Sequence, residues 1–244
     1  MRDSIYKVRN GLARLVHGLP VTGGPVSPEA PGDVYQTVRS IYRFAGTVCS
    51  GRATLDLLCG TGFGTAELLA AGCSPVVGVD PDGRAIRYAR RRFARDGLVF
   101  RRDAVNPLPE ALPSFTATVA VGALPHLPDP EATLAALAHR MGSEGLLVCA
   151  LPPILDGPTL EVHRGREPGA DHRYLWDWLG ALEARFRRLD LYRHLPPADT
   201  ELDLASPRPS RARPEDFRFE AIPTAELDDV GHLGAVFVAT GAAG

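Results

Sequence analysis

The chain has 244 residues, 45% of them hydrophobic and 23% charged, the composition of a folded domain and not of a disordered or fibrous chain. A formal net charge of −2 gives it no global basic field for nucleic acid, and no apolar run approaches membrane-spanning length. Four scattered cysteines, Cys49, Cys59, Cys73 and Cys149, form no C-x-x-C pair, which argues against zinc and disulfides and fits a reducing cytosol.

At this length one α/β domain with a cap is expected. The stretch MRDSIYKVRNGLARLV lacks a continuous apolar core and a cleavage site, so no secretory leader is expected. Residues 4–17 carry Ile5, Val8, Leu12, Leu15 and Val16 at helical spacing. Residues 18–32 are rich in Gly and Pro and read as a loop. Asp33 is expected to cap a second helix with Val34, Val38, Ile41, Tyr42 and Ala45 on one face. Residues 1–45 therefore read as an N-terminal helical cap, and 46–244 as the main domain.

The stretch TLDLLCGTGFG, residues 54–64, is an apolar run that ends in Gly60, Gly62 and Gly64, with helix formers after it. That pattern reads as a buried parallel strand turning into a helix. Glycine lets the backbone take positive φ and lets a ligand approach closely, and the helix behind offers free N–H groups. The next apolar run, 75–79, ends in Asp80, twenty residues beyond Gly60. A carboxylate at the tip of the second strand is where a ribose diol is held in doubly wound folds; the alternative is a strand-end turn former. Asp82 caps a helix over 83–95 whose many arginines read as a solvated face. A third strand over 98–102 leads to Asp103. Residues 106–114 are a Pro-broken connection, and 116–122 a fourth strand. Asp129, Pro130 and Glu131 start a helix running to Met141. The fifth strand is 145–151.

The motifs DLLCGTGFG, GVDP, RRDAV and GALPHLPDP, in that order, resemble the cofactor site of class I S-adenosylmethionine-dependent methyltransferases over roughly 45–151. The resemblance implies a Rossmann-like, seven-stranded, mostly parallel sheet with helices on both faces and a final antiparallel strand. It implies S-adenosylmethionine as cofactor, held by Asp56, Cys59, Gly60, Gly62, Asp80, Pro81, Asp103, Ala104 and Gly122. Asp80 would take the ribose hydroxyls, Asp103 with the Ala104 N–H the adenine edge, and Asp56 the methionine ammonium. Val79 and Val105 would sandwich the base. From the cap, Tyr35, Arg39, Tyr42 and Arg43 are candidates for the amino-acid end. One departure is Thr116 after Phe115, where the family usually has an acidic residue.

Beyond the fifth strand the match is looser. Residues 152–171 read as a long variable loop leaving the carboxyl edge of the sheet, where open α/β folds bind ligands, and as a candidate lid. A helix over 174–186, a sixth strand over 189–194, a Pro-rich surface insertion over 196–216 and a final strand over 234–240 complete the chain. His126, in GALPHLP, is the candidate general base, with an unperturbed pKa of about 6.5 suited to neutral pH; lining the pocket is its other reading. Glu161, His163, His172 and His194 are further candidates. The expected activity is methyl transfer to a small-molecule acceptor in bacterial secondary or sugar metabolism, in the cytoplasm, without metal, nucleic acid or membrane. Other chemistry on the same fold (cyclisation or decarboxylation), a non-catalytic partner and a macromolecular methyltransferase are the rivals.

Overall fold

The computed structural model describes residues 26, 28, 32–204 and 208–242; the helix expected over 4–17 lies outside them. In chain order the elements are α1 (Asp33–Cys49), β1 (Thr54–Leu57), α2 (Phe63–Ala70), β2 (Val76–Asp80), α3 (Gly83–Phe93) and β3 (Leu98–Arg102). Then come β4 (Ala117–Val121), a 3-10 turn (Leu124–His126), α4 (Pro130–Met141), β5 (Leu146–Leu151) and α5 (Gly157–Arg166). α6 (Leu175–Glu183), β6 (Phe186–Leu195), β7 (Arg218–Ile222) and β8 (Ala235–Ala242) follow, with short 3-10 turns at Pro214–Asp216 and Thr224–Asp229.

The sheet has eight strands in the order β3-β2-β1-β4-β5-β8-β6-β7, one more than expected. β1 to β5 are mutually parallel. β8 runs antiparallel to both β5 and β6, so β6 shares the direction of β1 to β5. The additional strand is β7, which pairs antiparallel with β6 from Leu191↔Ile222 to Leu195↔Arg218. It follows directly on the Pro-rich insertion, whose proline and charge density masks the short RFEAI run. Leu202 and Ala212 of the insertion pack with Phe217 and Leu233 in a small core.

Side chains alternate across a strand, and β1 shows the consequence. Leu55 and Leu57 enter the core shared with α4 and α6. Thr54 and Asp56 point to the opposite face, covered by α1, α2 and α3 through Val38, Ile41, Leu68, Ile86 and Ala89. α1 lies close on α2: a Cβ on Gly46 would stand 2.5 Å from the Ala71 Cβ. Asp33 is the first helical residue of α1, after an N-cap at Gly32 that makes no side-chain cap bond. Instead of capping, its carboxylate accepts from the Asp203 N–H at 2.6 Å and from the Ser210 hydroxyl, so the insertion is fastened to α1.

At the far edge, Arg90 of α3 donates from Nε and a terminal nitrogen to the Phe100 carbonyl of β3, at 2.9 and 2.8 Å. Part of the arginine-rich face of α3 is therefore committed to the fold; Arg95 likewise donates to the Ala66 carbonyl at 3.2 Å.

Candidate functional site

Because β1, β2, β4 and β5 are parallel, their carboxyl ends share one edge of the sheet. The glycine loop, Asp80, the Gly122–His126 segment and residues 152–171 all start there, at the place where such sheets take ligands.

The chain leaves β1 through a backbone that turns left-handed at alternate residues: Leu58 (φ 56°), Gly60 (φ 52°) and Gly62 (φ 82°). Leu58 is a non-glycine residue in this region, where strain collects at functional turns. The loop is pinned by Cys59 N–H to the Val79 carbonyl and Gly62 N–H to the Cys59 carbonyl, both 3.0 Å. The two loop glycines differ in surroundings. A Cβ on Gly62 would meet Ala89 and Phe100 at 2.6 Å, whereas one on Gly60 would have nothing within 4 Å. Gly122 (φ 63°) is as open as Gly60. Bare backbone thus faces free space at Gly60 and Gly122, just past the ends of the adjacent strands β1 and β4.

Asp80 ties this edge together. One carboxylate oxygen accepts from the Gly60 N–H at 2.9 Å and the other from the Asp82 N–H at 2.8 Å. A carboxylate has about four acceptor positions, so two bonds to the backbone leave capacity for two hydroxyl donors. Asp80 therefore has the attributes of both of its sequence readings: it forms the strand-end turn and fits a diol.

Asp56 lies below the loop and is fully buried. Its oxygens accept from the Tyr42 hydroxyl at 3.1 Å and the Thr65 hydroxyl at 2.6 Å. Burial pushes its carboxyl up to about 7, against the opposing effect of these two bonds and with a further push from the Asp80 charge. No cation faces it among the described residues, so it is a carboxylate held where its charge is disfavoured. Two glycines make room for this cluster. A Cβ on Gly64 would meet the Tyr42 ring at 2.2 Å, and one on Gly78 the Cys59 sulfur at 2.9 Å and the Thr65 hydroxyl at 3.0 Å. Tyr42 alone of the four cap candidates reaches this floor. Arg39 pairs with Glu67 at 2.5 Å, Arg43 with Glu215 at 3.8 Å, and Tyr35 packs on Phe63 with ring centroids 4.8 Å apart.

Asp103 accepts from Arg101 Nε at 2.6 Å, while Pro81 and Ala104 are exposed at the strand ends. Val79 and Val105 are buried in the core under α4 and α6. His126 stands on the 3-10 turn after β4 with 44% of its side chain exposed, and its Nε2 is 3.6 Å from a Glu167 carboxylate oxygen. The stretch 152–171 is not one long loop. Asp156 accepts from the Thr159 N–H at 2.7 Å and starts α5, a cap-and-proline start overlooked among the surrounding glycines. Of the other candidates, Glu161 is 72% exposed and pairs with Arg164. His163 and His172 are buried with ring centroids 5.7 Å apart. His194 is elsewhere: it sits under α1 at 2.9 Å from the Ser40 hydroxyl, stacked on Phe219, and burial holds it down to about 3, hence neutral. Leu58, Thr65 and Glu167 were not singled out from sequence. A hydroxyl nine residues beyond Asp56 is a usable signal for Thr65; the other two depend on backbone conformation and on a contact across 41 residues.

Residues 54–145 match the methyltransferase domain family. The chain is 30% identical over 161 residues (63% of this chain, 57% of the relative) to the probable S-adenosylmethionine-dependent methyltransferase Rv3030 of Mycobacterium tuberculosis. It is 29% identical over 181 residues (71% and 54%) to a tRNA U34 carboxymethyltransferase of Pseudomonas paraeruginosa. It is 31% identical over 126 residues (50% and 51%) to a ubiquinone biosynthesis O-methyltransferase of Xylella fastidiosa. The chain thus spans a little over half the length of these relatives. In fold it resembles magnesium protoporphyrin IX methyltransferase of Synechocystis, solved with bound S-adenosylhomocysteine, at a TM-score of 0.53 and 15% identity over 90% of both chains. The open backbone at Gly60 and Gly122, the acceptor capacity of Asp80 and the uncompensated carboxyl of Asp56 fit a ligand that carries a diol and a cationic end. Residues 54–145 thus carry a methyltransferase domain, and in strand order and in these relatives the chain is similar to the class I S-adenosylmethionine-dependent methyltransferases.

Proposed function

We propose that this protein transfers a methyl group from S-adenosylmethionine to a small-molecule acceptor, with His126 receiving the acceptor's proton. The observation that carries the reading is the open left-handed backbone at Gly60 beside the doubly anchored Asp80, at the carboxyl edge of a parallel sheet. The cofactor would be held by the Gly60 and Gly122 backbone and by Asp80, with Asp103 and Ala104 at the adenine end and Asp56 beneath the ammonium end. It supplies an electrophilic methyl on a sulfonium whose sulfur departs with the bonding pair. This chain's residues then have to orient the acceptor, exclude water and take up a proton; positioning alone is worth up to about 7–11 kcal/mol in ideal systems.

A small acceptor is favoured over a polyanion by charge. On the segments that leave the carboxyl edge, Arg101 and Arg173 are held by Asp103, Asp171 and Glu131, and the whole chain carries −2. Neither feature suits the phosphate neutralisation that RNA binding rests on. The four cysteines are free and buried, which suits a reducing cytoplasm, and among the described residues no helix is long and apolar enough to cross a membrane. The direct test is incubation with S-adenosylmethionine and a panel of small phenols, amines and sugars, following S-adenosylhomocysteine. Release with a small acceptor supports the reading, and release only with tRNA overturns it.

Asp80→Ala should weaken S-adenosylhomocysteine binding by about 1–3 kcal/mol, the scale of hydrogen bonds to a charged group. It also frees the Gly60 N–H that Asp80 holds. Calorimetry showing wild-type affinity would remove Asp80 from the site.

His126→Ala should lower kcat by about a hundredfold with KM little changed, and higher pH should restore part of the rate as bulk base substitutes. A loss confined to KM, without rescue by pH, would assign His126 to lining the pocket.

A further inference from the structure

We infer that Glu167 is the positioning residue for His126: its carboxylate holds the Nε2–H of the imidazole and thereby leaves Nδ1 as the atom that accepts the acceptor's proton. The inference rests on the proposed base role of His126 and names the group through which that role is set.

Four observations carry it. Glu167 and His126 come from different segments, α5's end and the turn after β4, yet Nε2 and the carboxylate stand 3.6 Å apart. This is an ion-pair distance, just beyond hydrogen-bond reach, and catalytic hydrogen bonds are often this long until substrate is in place. Secondly, Glu167 is the residue that ends α5, where the helix dipole is negative and a carboxylate is disfavoured. The last turn of α5 carries His163, Arg164 and Arg166, the His126 imidazole faces the carboxylate from the other segment, and only 20% of the Glu167 side chain is exposed.

Thirdly, both partners are fixed by main chain. The Glu167 N–H donates to the His163 carbonyl at 3.0 Å, and its own carbonyl accepts from Ala170 N–H at 3.2 Å and from His172 Nε2 at 3.1 Å. The His126 N–H donates to the Ala123 carbonyl at 3.0 Å, and the neighbouring Pro125 carbonyl accepts from Asp171 N–H at 2.6 Å. The turn at 167–172 is thereby stapled to the turn that carries His126. Fourthly, the nearby Asp171 carboxylate is committed elsewhere, to Arg173. An ionised carboxylate only accepts hydrogen bonds, so its imidazole partner must present N–H to it, and the other ring nitrogen keeps its lone pair. With 44% of the His126 side chain exposed, the ring remains accessible to an acceptor.

The test is NMR of the imidazole protons in the full chain, with and without S-adenosylhomocysteine. A downfield, exchange-protected Nε2–H signal, assigned to His126 by its loss in His126→Asn, is the expected result. It should move upfield in Glu167→Gln, disappear in Glu167→Leu, and persist in Asp171→Asn. Thermal melts and S-adenosylhomocysteine affinity should stay near wild type in Glu167→Gln, which separates positioning from a structural role. The absence of such a signal in wild type, or its persistence unchanged in both Glu167 variants, overturns the inference. Neither result bears on cofactor binding or methyl release, so failure of the proposed function is read separately.

Discussion

Gly62→Ala should destabilise the fold by about 2–5 kcal/mol, while Gly60→Ala should leave the fold largely intact and abolish most cofactor binding. At Gly62 two penalties coincide. A Cβ there stands 2.6 Å from both Ala89 and Phe100, and overpacking of this kind costs about 1–3 kcal/mol. The left-handed backbone, φ 82°, adds about 1–2 kcal/mol for a residue with a Cβ. At Gly60 only the backbone penalty applies, since its Cβ would stand in free space. That free space is where the ligand has to approach. Urea unfolding and calorimetry with S-adenosylhomocysteine, run on both variants, measure the two effects independently. Equal stability losses, or wild-type affinity in Gly60→Ala, would contradict the division of labour between the two glycines.

The second large effect is the pH dependence that Asp56 gives to stability. Its carboxyl is raised from the ordinary 3.8 to about 7, chiefly by burial. The folded state therefore binds a proton that the unfolded state releases above about pH 4. The folded state has its full stability from this group below pH 4, loses it progressively as the pH rises to about 7, and is flat beyond. Three units correspond to at most about 4 kcal/mol. Asp56→Asn keeps the shape, removes the charge, and should flatten the curve between pH 4 and 7. Above pH 7 the variant should unfold at higher urea than wild type. Parallel wild-type and variant curves across that range would show that Asp56 is not held in this strained charge state. The same substitution should weaken binding of a cationic ligand, because the carboxylate is what the cation would compensate.

Much of the fold was legible because its signals are local. Glycine punctuation after an apolar run marked β1 and its loop, and the Asp129-Pro130-Glu131 start marked α4. Eight strands instead of seven came from β7, a five-residue run next to prolines and arginines whose pairing with β6 is a tertiary fact. α5 was hidden in the same way: Asp156, Gly157 and Pro158 read as loop residues, yet they are a helix start. The glycine loop follows β1 and Asp80 ends β2, the places expected from the sequence. What sequence cannot supply is the contrast between an open Gly60 and a packed Gly62, since that depends on Phe100 and Ala89 from other elements. The Asp56–Tyr42–Thr65 floor depends likewise on which face of β1 meets α1, and the Glu167–His126 approach on where α5 ends.

The Arg90 contact with the β3 carbonyl bears on how copies of this protein can associate. An edge strand with unpaired carbonyls and amides is a template for another chain's strand. At the β3 edge the Phe100 carbonyl is taken by a guanidinium, and Arg101 and Arg102 finish the strand. At the opposite edge, β7 carries Arg218 and Glu220, the latter paired with Arg193 at 2.7 Å. Both margins of the sheet thus present charge, and the β3 margin a bonded carbonyl as well, which discourages continuation of the sheet into a neighbour. Strand addition at the β3 margin first requires Arg90 to release the Phe100 carbonyl.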